Sequence, residues 1–299
     1  MVVLLEVILP IFLVGGAGAV LGRVTRLDAT LLTRVAMYLL GPALIFRSLT
    51  TSTVAGGDVL KIGSFVIALH LVLFALSRLV GRWQRWDDDA RAAGSLVLTF
   101  GNCGTYGLAV LLFAYGEAGF TLGIVFMLTG TVMQATLGVG IGAWHRGMKL
   151  RTWLGQAARV PWLYAILLSV LFRAMRWDLP LGIFRGIDLL ADAAIPVQLV
   201  ILGIQLARVP RRGIVQEALW LTGLKLAVPP LLGWGLASLL GAEGLLRSVL
   251  IVEASMPSAI NALILSMHFH RKPELAATVV FLTTILSLGT VTVVLSLLS

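Results

Sequence analysis

The chain is 299 residues long, 59% hydrophobic and only 12% charged, with a formal net charge of +9. No soluble domain of ordinary composition hides that much apolar surface, so the composition excludes a soluble globular protein and specifies an integral membrane protein. The basic excess does not point to nucleic acid, because its placement along the chain is that of an orientation signal.

A window of about 20 residues, the length a helix needs to cross roughly 30 Å of hydrocarbon, resolves ten apolar segments. They lie near residues 2–22, 30–50, 59–80, 93–115, 119–143, 158–175, 183–207, 214–240, 245–267 and 276–298. These runs are too long for barrel strands and lack period-two patterning, so the expected fold class is all-α with ten transmembrane helices. No cationic n-region and cleavage site precede segment one, which is expected to be retained rather than lost as a signal peptide. Segment three holds His70, read as a satisfied core histidine, and segment seven opens with a stretch carrying Asp188 and Asp192.

Most of the 23 Lys and Arg follow odd-numbered segments, among them Arg78, Arg82, Arg85, Arg91, Arg146, Lys149, Arg151, Arg208, Arg211 and Arg212. Those loops are expected to be cytoplasmic, which puts both termini on the opposite side. Trp83, Trp86, Trp144, Trp153, Trp162 and Trp177 stand near segment boundaries and read as interface anchors. Gly18 with Gly22, and Gly138 with Gly142, have the four-residue spacing that permits close helix approach. The single cysteine, Cys103, excludes an internal disulfide and a cysteine-based metal site.

Segment centres in the second half follow those in the first at an offset of about 154 residues, which also superposes Pro42 in YLLGPALIF on Pro196 in DAAIPVQLV. Five spans per half force the second copy into inverted orientation. The expectation is one transmembrane unit over 1–299, with a first five-helix repeat at 1–143 and an inverted second repeat at 158–299. Inverted repeats suit secondary transporters, whose halves exchange conformations around a central site. Channels can also carry them, which keeps a passive anion channel, or an uncoupled uniporter, open as the alternative.

The fourth segment of each half is irregular at its midpoint. LVLTFGNCGTYGLAVLLF places Gly101, Gly104 and Gly107 around Asn102, and VLIVEASMPSAINALIL places Glu253, Pro257 and Asn261 in one span. Glycine weakens a helix and proline removes a donor while clashing with the preceding turn, so both segments are expected to unwind in mid-membrane. Irregular backbone at that depth is tolerated only where protein or a wet cavity surrounds it. Two such breaks together would offer helix N-termini to an anion and free carbonyls to a cation. A charged Glu253 at a helix centre costs about 2.5–3.5 kcal/mol, so it is expected to have a partner or a task.

FGNCGTYGLAVLLFAYGEAG, AAIPVQLVILGIQLA and ASMPSAINALILS, with the N-terminal ILPIFLVGGAGAVLGRV and LLGPALIFRSL, resemble the auxin efflux carrier family in its short bacterial form, in order as well as wording. The resemblance covers nearly the whole chain. It implies a five-plus-five inverted repeat, a crossover of segments four and nine, and a fold shared with the sodium-coupled bile acid symporters. It further implies that segments 1, 2, 6 and 7 form a scaffold, through which a homodimer would form, while 3–5 and 8–10 move in an elevator-like manner. Family substrates are organic anions, and the expected location is the bacterial inner membrane.

Three departures stand out. Ala109 occupies the place where the family commonly has a proline, so the first break would rest on glycine. Glu253 stands where plant members resemble a neutral amide and the symporters carry a sodium-binding glutamate, while Pro257 stands where those symporters have a glutamine. The long cytoplasmic loop of the plant proteins is replaced by a short stretch around HRGMKLRTW.

For the substrate anion the candidate residues are Asn102, Thr105, Tyr106, Pro257, Ser258, Asn261, Gln198 and Lys225. For a coupling ion they are Glu253, Asn102, Thr129 and Thr131, Glu253 serving as a sodium ligand or a proton acceptor. The blander readings are a Glu253 carboxyl bonded to Ser255 or a neighbouring helix, a Lys225 that balances Glu253 or snorkels outward, and amides that glue helices. No cofactor is expected beyond a coupling Na+ or H+, and the expected partners are a small organic anion and membrane lipid. An intramembrane hydrolase needs a nucleophile with a base or paired aspartates, and ATP drive needs a GxxxxGK[ST] loop. The sequence supplies neither.

Overall fold

A computed structural model describes residues 2–51, 54–143, 161–177, 179–208 and 216–298. The loop positions Trp144, Arg146, Lys149, Arg151, Trp153, Arg211 and Arg212 lie outside the described residues. Among the described residues the protein is helical, and its one strand-like feature is an isolated antiparallel bridge between Gly101 and Ser258.

The helices are α1 (Leu4–Val24), α2 (Ala29–Thr51), α3 (Gly56–Trp83), α4 (Asp88–Thr99), α5 (Cys103–Ala143), α6 (Pro161–Met175), α7 (Leu181–Ala207), α8 (Gln216–Leu239), α9 (Gly244–Ala254), α10 (Ile260–His268) and α11 (Pro273–Leu298). Seven of them (α1, α2, α3, α5, α7, α8 and α11) are long and apolar enough to cross a membrane. The protein is therefore a multi-pass membrane protein.

α5 is 41 residues long, yet it is not one rod. Gly116 leaves the helical region at φ 63° and ψ −160°, a conformation open to glycine and closed to most side chains. Beyond it the chain folds back. A methyl at Gly123 would strike Leu108 and Leu111, residues about 22 and 18 Å away in a straight helix. The reversal falls between the fourth and fifth apolar segments of the sequence.

Two compact units divide the chain, one made of Met1–Leu9, Ala55–Trp153 and Val209–Ser299, the other of Pro10–Val54 and Leu154–Arg208. The second unit thus gathers α2, α6, α7 and most of α1, and the first gathers α3–α5 and α8–α11. This is the grouping of segments that the family resemblance implies.

In the second unit, glycine lets backbones touch. A methyl at Gly203 would enter the Gly15 carbonyl of α1, and one at Gly18 would enter the Val200 backbone of α7. Gly41 leaves room for the Trp162 ring, whose Nε1 donates to the Met37 carbonyl at 3.1 Å. Asp188 and Asp192 lie within α7, which begins at Leu181, and both pair with Arg47 of α2. Asp28 caps α2 by accepting from the Thr30 N–H at 3.1 Å.

In the first unit, α4 is enclosed on every side. Every residue from Ala92 to Thr99 is buried, as expected of a helix that is apolar all round. Its start is capped by Asp87, which accepts from the Ala90 N–H at 2.8 Å. Asp87 also pairs with Lys272, and Asp89 with Arg271, tying the start of α4 to the turn between α10 and α11. Gly138 sits against Phe100 and Leu265, and Gly142 against Phe269, so this four-residue pair does allow close approach.

Candidate functional site

α4 has 12 residues and α9 has 11, about 18 Å of helix each, too short to cross the hydrocarbon alone. Each stops and restarts after a stretch outside the helix, Phe100–Asn102 in the first case and Ser255–Ala259 in the second. The two stretches bond to each other. The Asn102 N–H donates to the Pro257 carbonyl at 2.8 Å and the Ala259 N–H to the Phe100 carbonyl at 3.0 Å. Proline helps for a stated reason: it has no N–H to leave unpaired, while its carbonyl stays available. The first break forms at Gly101 and Asn102 without a proline, with Ala109 nine-tenths or more buried farther along α5.

Carbonyls near the end of α4 are met by the next turn of the chain and by other helices of the unit. Leu96 accepts from the Phe100 N–H, Val97 accepts from the Ser258 hydroxyl at 2.8 Å, and Leu98 accepts from the Lys225 ammonium at 3.1 Å. Lys225 is only 1% exposed, so it does not snorkel outward. Its charge sits at the negative end of the α4 dipole, where a cation is favoured. His70 lies within electrostatic reach of Lys225 and its Nδ1 is 2.7 Å from the Val66 carbonyl, in keeping with a satisfied core histidine. At the end of α9, Cys103 Sγ lies 3.6 Å from the Glu253 carbonyl.

The restarting helices are different. Neither Asn102, before α5, nor Ala259, before α10, provides a side-chain cap. The first N–H groups of a helix need partners that the helix itself cannot give.

Glu253 is 1% exposed, and neither carboxyl oxygen has a hydrogen-bond partner. The carboxyl occupies a niche made by absent side chains: a methyl at Gly107 would collide with it, and one at Gly123 would stand 3.3 Å from Oε1. Ser255 is not its partner, because that hydroxyl donates to the Ile251 carbonyl at 2.6 Å. Nor is Lys225, whose ammonium is turned to Leu98.

The remaining candidates separate. Asn102 is buried at the first break, and Asn261, in the first turn of α10, donates to Gln134 Oε1 at 3.2 Å on an exposed face. Thr105 is half-buried in the opening turn of α5. Pro257 and Ser258 are buried within the second break. Tyr106 is buried with its hydroxyl 3.3 Å from Ser287 of α11. Thr129 and Thr131 donate to the Val125 and Met127 carbonyls of their own helix, at 3.0 and 2.9 Å. Gln198 is half-buried in α7, in the other unit. Sequence reasoning missed Gln134, although a lone amide in the apolar run TVMQATLG was the available signal.

A pair of broken helices whose starts have no side-chain cap, beside a buried carboxyl, is the arrangement of a membrane transport protein. The comparison with known families agrees. The profile described as "Membrane transport protein" matches residues 1–152 and 146–295, and the chain belongs to that family, the auxin efflux carrier family. It is 31% identical over 283 residues to an "Uncharacterized transporter" of Methanothermobacter thermautotrophicus, covering 94% of this chain and 93% of the other. It is 26% identical over 288 residues to an "Uncharacterized transporter" of Methanocaldococcus jannaschii, covering 94% of each. A "Putative malonate transporter" of Rhizobium meliloti is 28% identical over 269 residues, 86% of this chain and 82% of its own length. The family and these relatives are named as transporters, not enzymes.

Proposed function

We propose that the protein is a secondary active transporter of a small organic anion, a carboxylate, working by elevator-like alternating access. One observation carries this reading: the carbonyl ends at the breaks are met by Ser258, Lys225 and Cys103, while the helix starts at Cys103 and Ile260 have no side-chain cap. Each start carries roughly half a positive charge. An anion supplies what both of them lack.

In this reading Asn102, Thr105 and Asn261 contact the carboxylate and Pro257 shapes the break, while Lys225 and Ser258 hold the surrounding backbone and Tyr106 packs behind it against Ser287. The unit of α3–α5 and α8–α11 moves, and the other, which carries Gln198, is the scaffold and makes the dimer contact. The two halves, 1–143 and 158–299, form the ten-helix inverted repeat with the crossover at the breaks. The protein sits in a bacterial inner membrane with both termini outside the cytoplasm, an orientation that the placement of its Lys and Arg supports.

Glu253 is the coupling group. Gly107, Gly123 and the Cys103 thiol surround the carboxyl, a niche poor in the oxygen ligands that hard cations want, which favours a proton.

Purified protein in liposomes, preloaded with malonate, tests the main reading. Saturable uptake of labelled malonate accelerated by the internal pool, and lost in Asn102→Ala, is the expected result. Linear flux with no acceleration would overturn the carrier in favour of a passive pore. For coupling, thermal unfolding in NaCl and in KCl at equal ionic strength is compared for wild type and Glu253→Gln. A ligand at about 100 times its Kd adds roughly 2.7 kcal/mol, so a sodium-selective rise lost in the variant would replace the proton with sodium.

A further inference from the structure

Beyond Gly116 the returning arm of α5 passes across the first break. A methyl at Gly104 would stand 3.2 Å from Met127 Sδ, and Gly138 lies against the Phe100 ring. Between these two fixed points Met127, Thr131, Gln134 and Gly138 recur at four- and three-residue spacing, and so share one face of the helix. Gln134 is thus presented at the level of the break. It also opens a wide turn, Gln134–Gly138, a form of helix that frequently marks functional sites.

Gln134 meets the second broken helix as well. Asn261, in the first turn of α10, donates its Nδ2 proton to Gln134 Oε1 at 3.2 Å. Asn261 is exposed and Gln134 half-buried. Amides exposed at this depth do not face hydrocarbon, because polar groups within a membrane turn to the bundle interior or to a wet cavity. One turn before Gln134, a methyl at Gly130 would meet no atom within 4 Å, so among the described residues the space beside this face is open.

The bonding capacity of the pair is unevenly used. A glutamine amide has one carbonyl oxygen and two N–H donors. Asn261 takes the oxygen, and among the described residues no hydrogen bond engages the Nε2 protons. The start of α10, with roughly half a positive charge, lies next to Asn261, and Asn261 next to Gln134. A carboxylate resting at that start leaves the rest of its molecule within reach of the Nε2 donors.

We propose that Gln134 is a specificity-determining residue, its Nε2 donating to a second acceptor group on the transported anion while the carboxylate rests at the start of α10 beside Asn261. This deepens the anion-carrier reading and rests on it. A donor that gives up water and gains no partner costs affinity, so the site favours an acid with two acceptor ends over one with a single carboxylate.

The test uses full-length protein in detergent at about pH 8, where an accessible carboxyl is charged. It is titrated with malonate or propionate, acids of equal carbon number with two carboxylates and one, and each Kd is read from the rise of the unfolding midpoint. Wild type should prefer malonate, and Gln134→Leu should lower that preference about tenfold by weakening malonate alone. Gln134→Glu keeps an oxygen for Asn261 but loses both donors and repels a second carboxylate, so it should lower the preference as well. Its ligand-free midpoint should match wild type, which keeps the test valid if the leucine variant does not fold. Equal binding of the two acids by wild type, equal weakening of both in Gln134→Leu, or an undiminished preference in Gln134→Glu overturns this proposal and leaves the carrier standing. Wild type that binds neither acid, and shows no saturable malonate uptake in liposomes, overturns the carrier reading and this proposal with it.

Discussion

α7 carries Pro196 in its interior and stays helical from Leu181 to Ala207, whereas the stretch from Asp88 to Ala143 has no proline and leaves the helix at Phe100. α8 likewise runs through Pro229 and Pro230, and α2 runs through Pro42 after a wide turn over Ala36–Leu40. A widened turn makes room for a ring that would clash with the preceding carbonyl. The difference is one of partners. At Phe100–Asn102 the freed groups meet Ser258, Lys225 and the backbone of the second break, so the extended conformation loses little. Proline permits a break, and polar groups arriving from other helices decide whether it happens.

This contrast can be attacked from both sides. The largest effect is expected in the unbroken helix: Gly203→Val places a side chain into the Gly15 backbone, which cannot rotate away, and should lower stability by about 3 kcal/mol in detergent unfolding. Lys225→Met comes next. It leaves the buried Leu98 carbonyl without its charged donor, a loss of about 2 kcal/mol, and an unchanged midpoint would show that the break of segment four does not depend on that ammonium.

Ser258→Ala removes one neutral hydrogen bond to Val97 and should cost about 1 kcal/mol in the same measurement. Pro196→Ala should change stability by no more than about 0.5 kcal/mol, since α7 already accommodates the ring; a large loss would mean that proline is itself structural there. Smallest is the acid response of the α4 cap. The Lys272 ammonium, then the Ala90 N–H, hold the Asp87 carboxyl below the ordinary carboxylate range. A depressed carboxyl adds stability above its unfolded value and loses it as pH falls through the folded value. The midpoint of wild type should therefore drop below about pH 4, and Asp87→Asn should remove that part of the slope.

Much of this was legible in the residues. Gly101 and Pro257 announced where two helices stop, and the apolar run around Glu253 announced a buried carboxyl. What lay beyond reach was pairing across the chain. Nothing near Lys225 in the sequence points to Leu98, and nothing near Asn261 points to Gln134, because register between helices is set by packing of whole faces. The niche around Glu253 was hidden for a further reason: Gly107 and Gly123 act through the side chains they lack. Thr129 and Thr131 show the converse, since hydroxyls within a helix can satisfy themselves on the carbonyl a turn earlier, and composition cannot tell that outcome from a ligand.

The caps of α4 also set an order of events in synthesis. Lys225 and Ser258, which receive the Leu98 and Val97 carbonyls, lie more than a hundred residues downstream. While the chain is being made, segment four enters the lipid with nothing to hold an extended Phe100–Asn102, and continuous helix satisfies its backbone best. The first break is thus a late product of assembly, opened only when the C-terminal helices arrive. A chain cut short before segment nine is expected to insert without the Ser258 hydroxyl that meets the Val97 carbonyl.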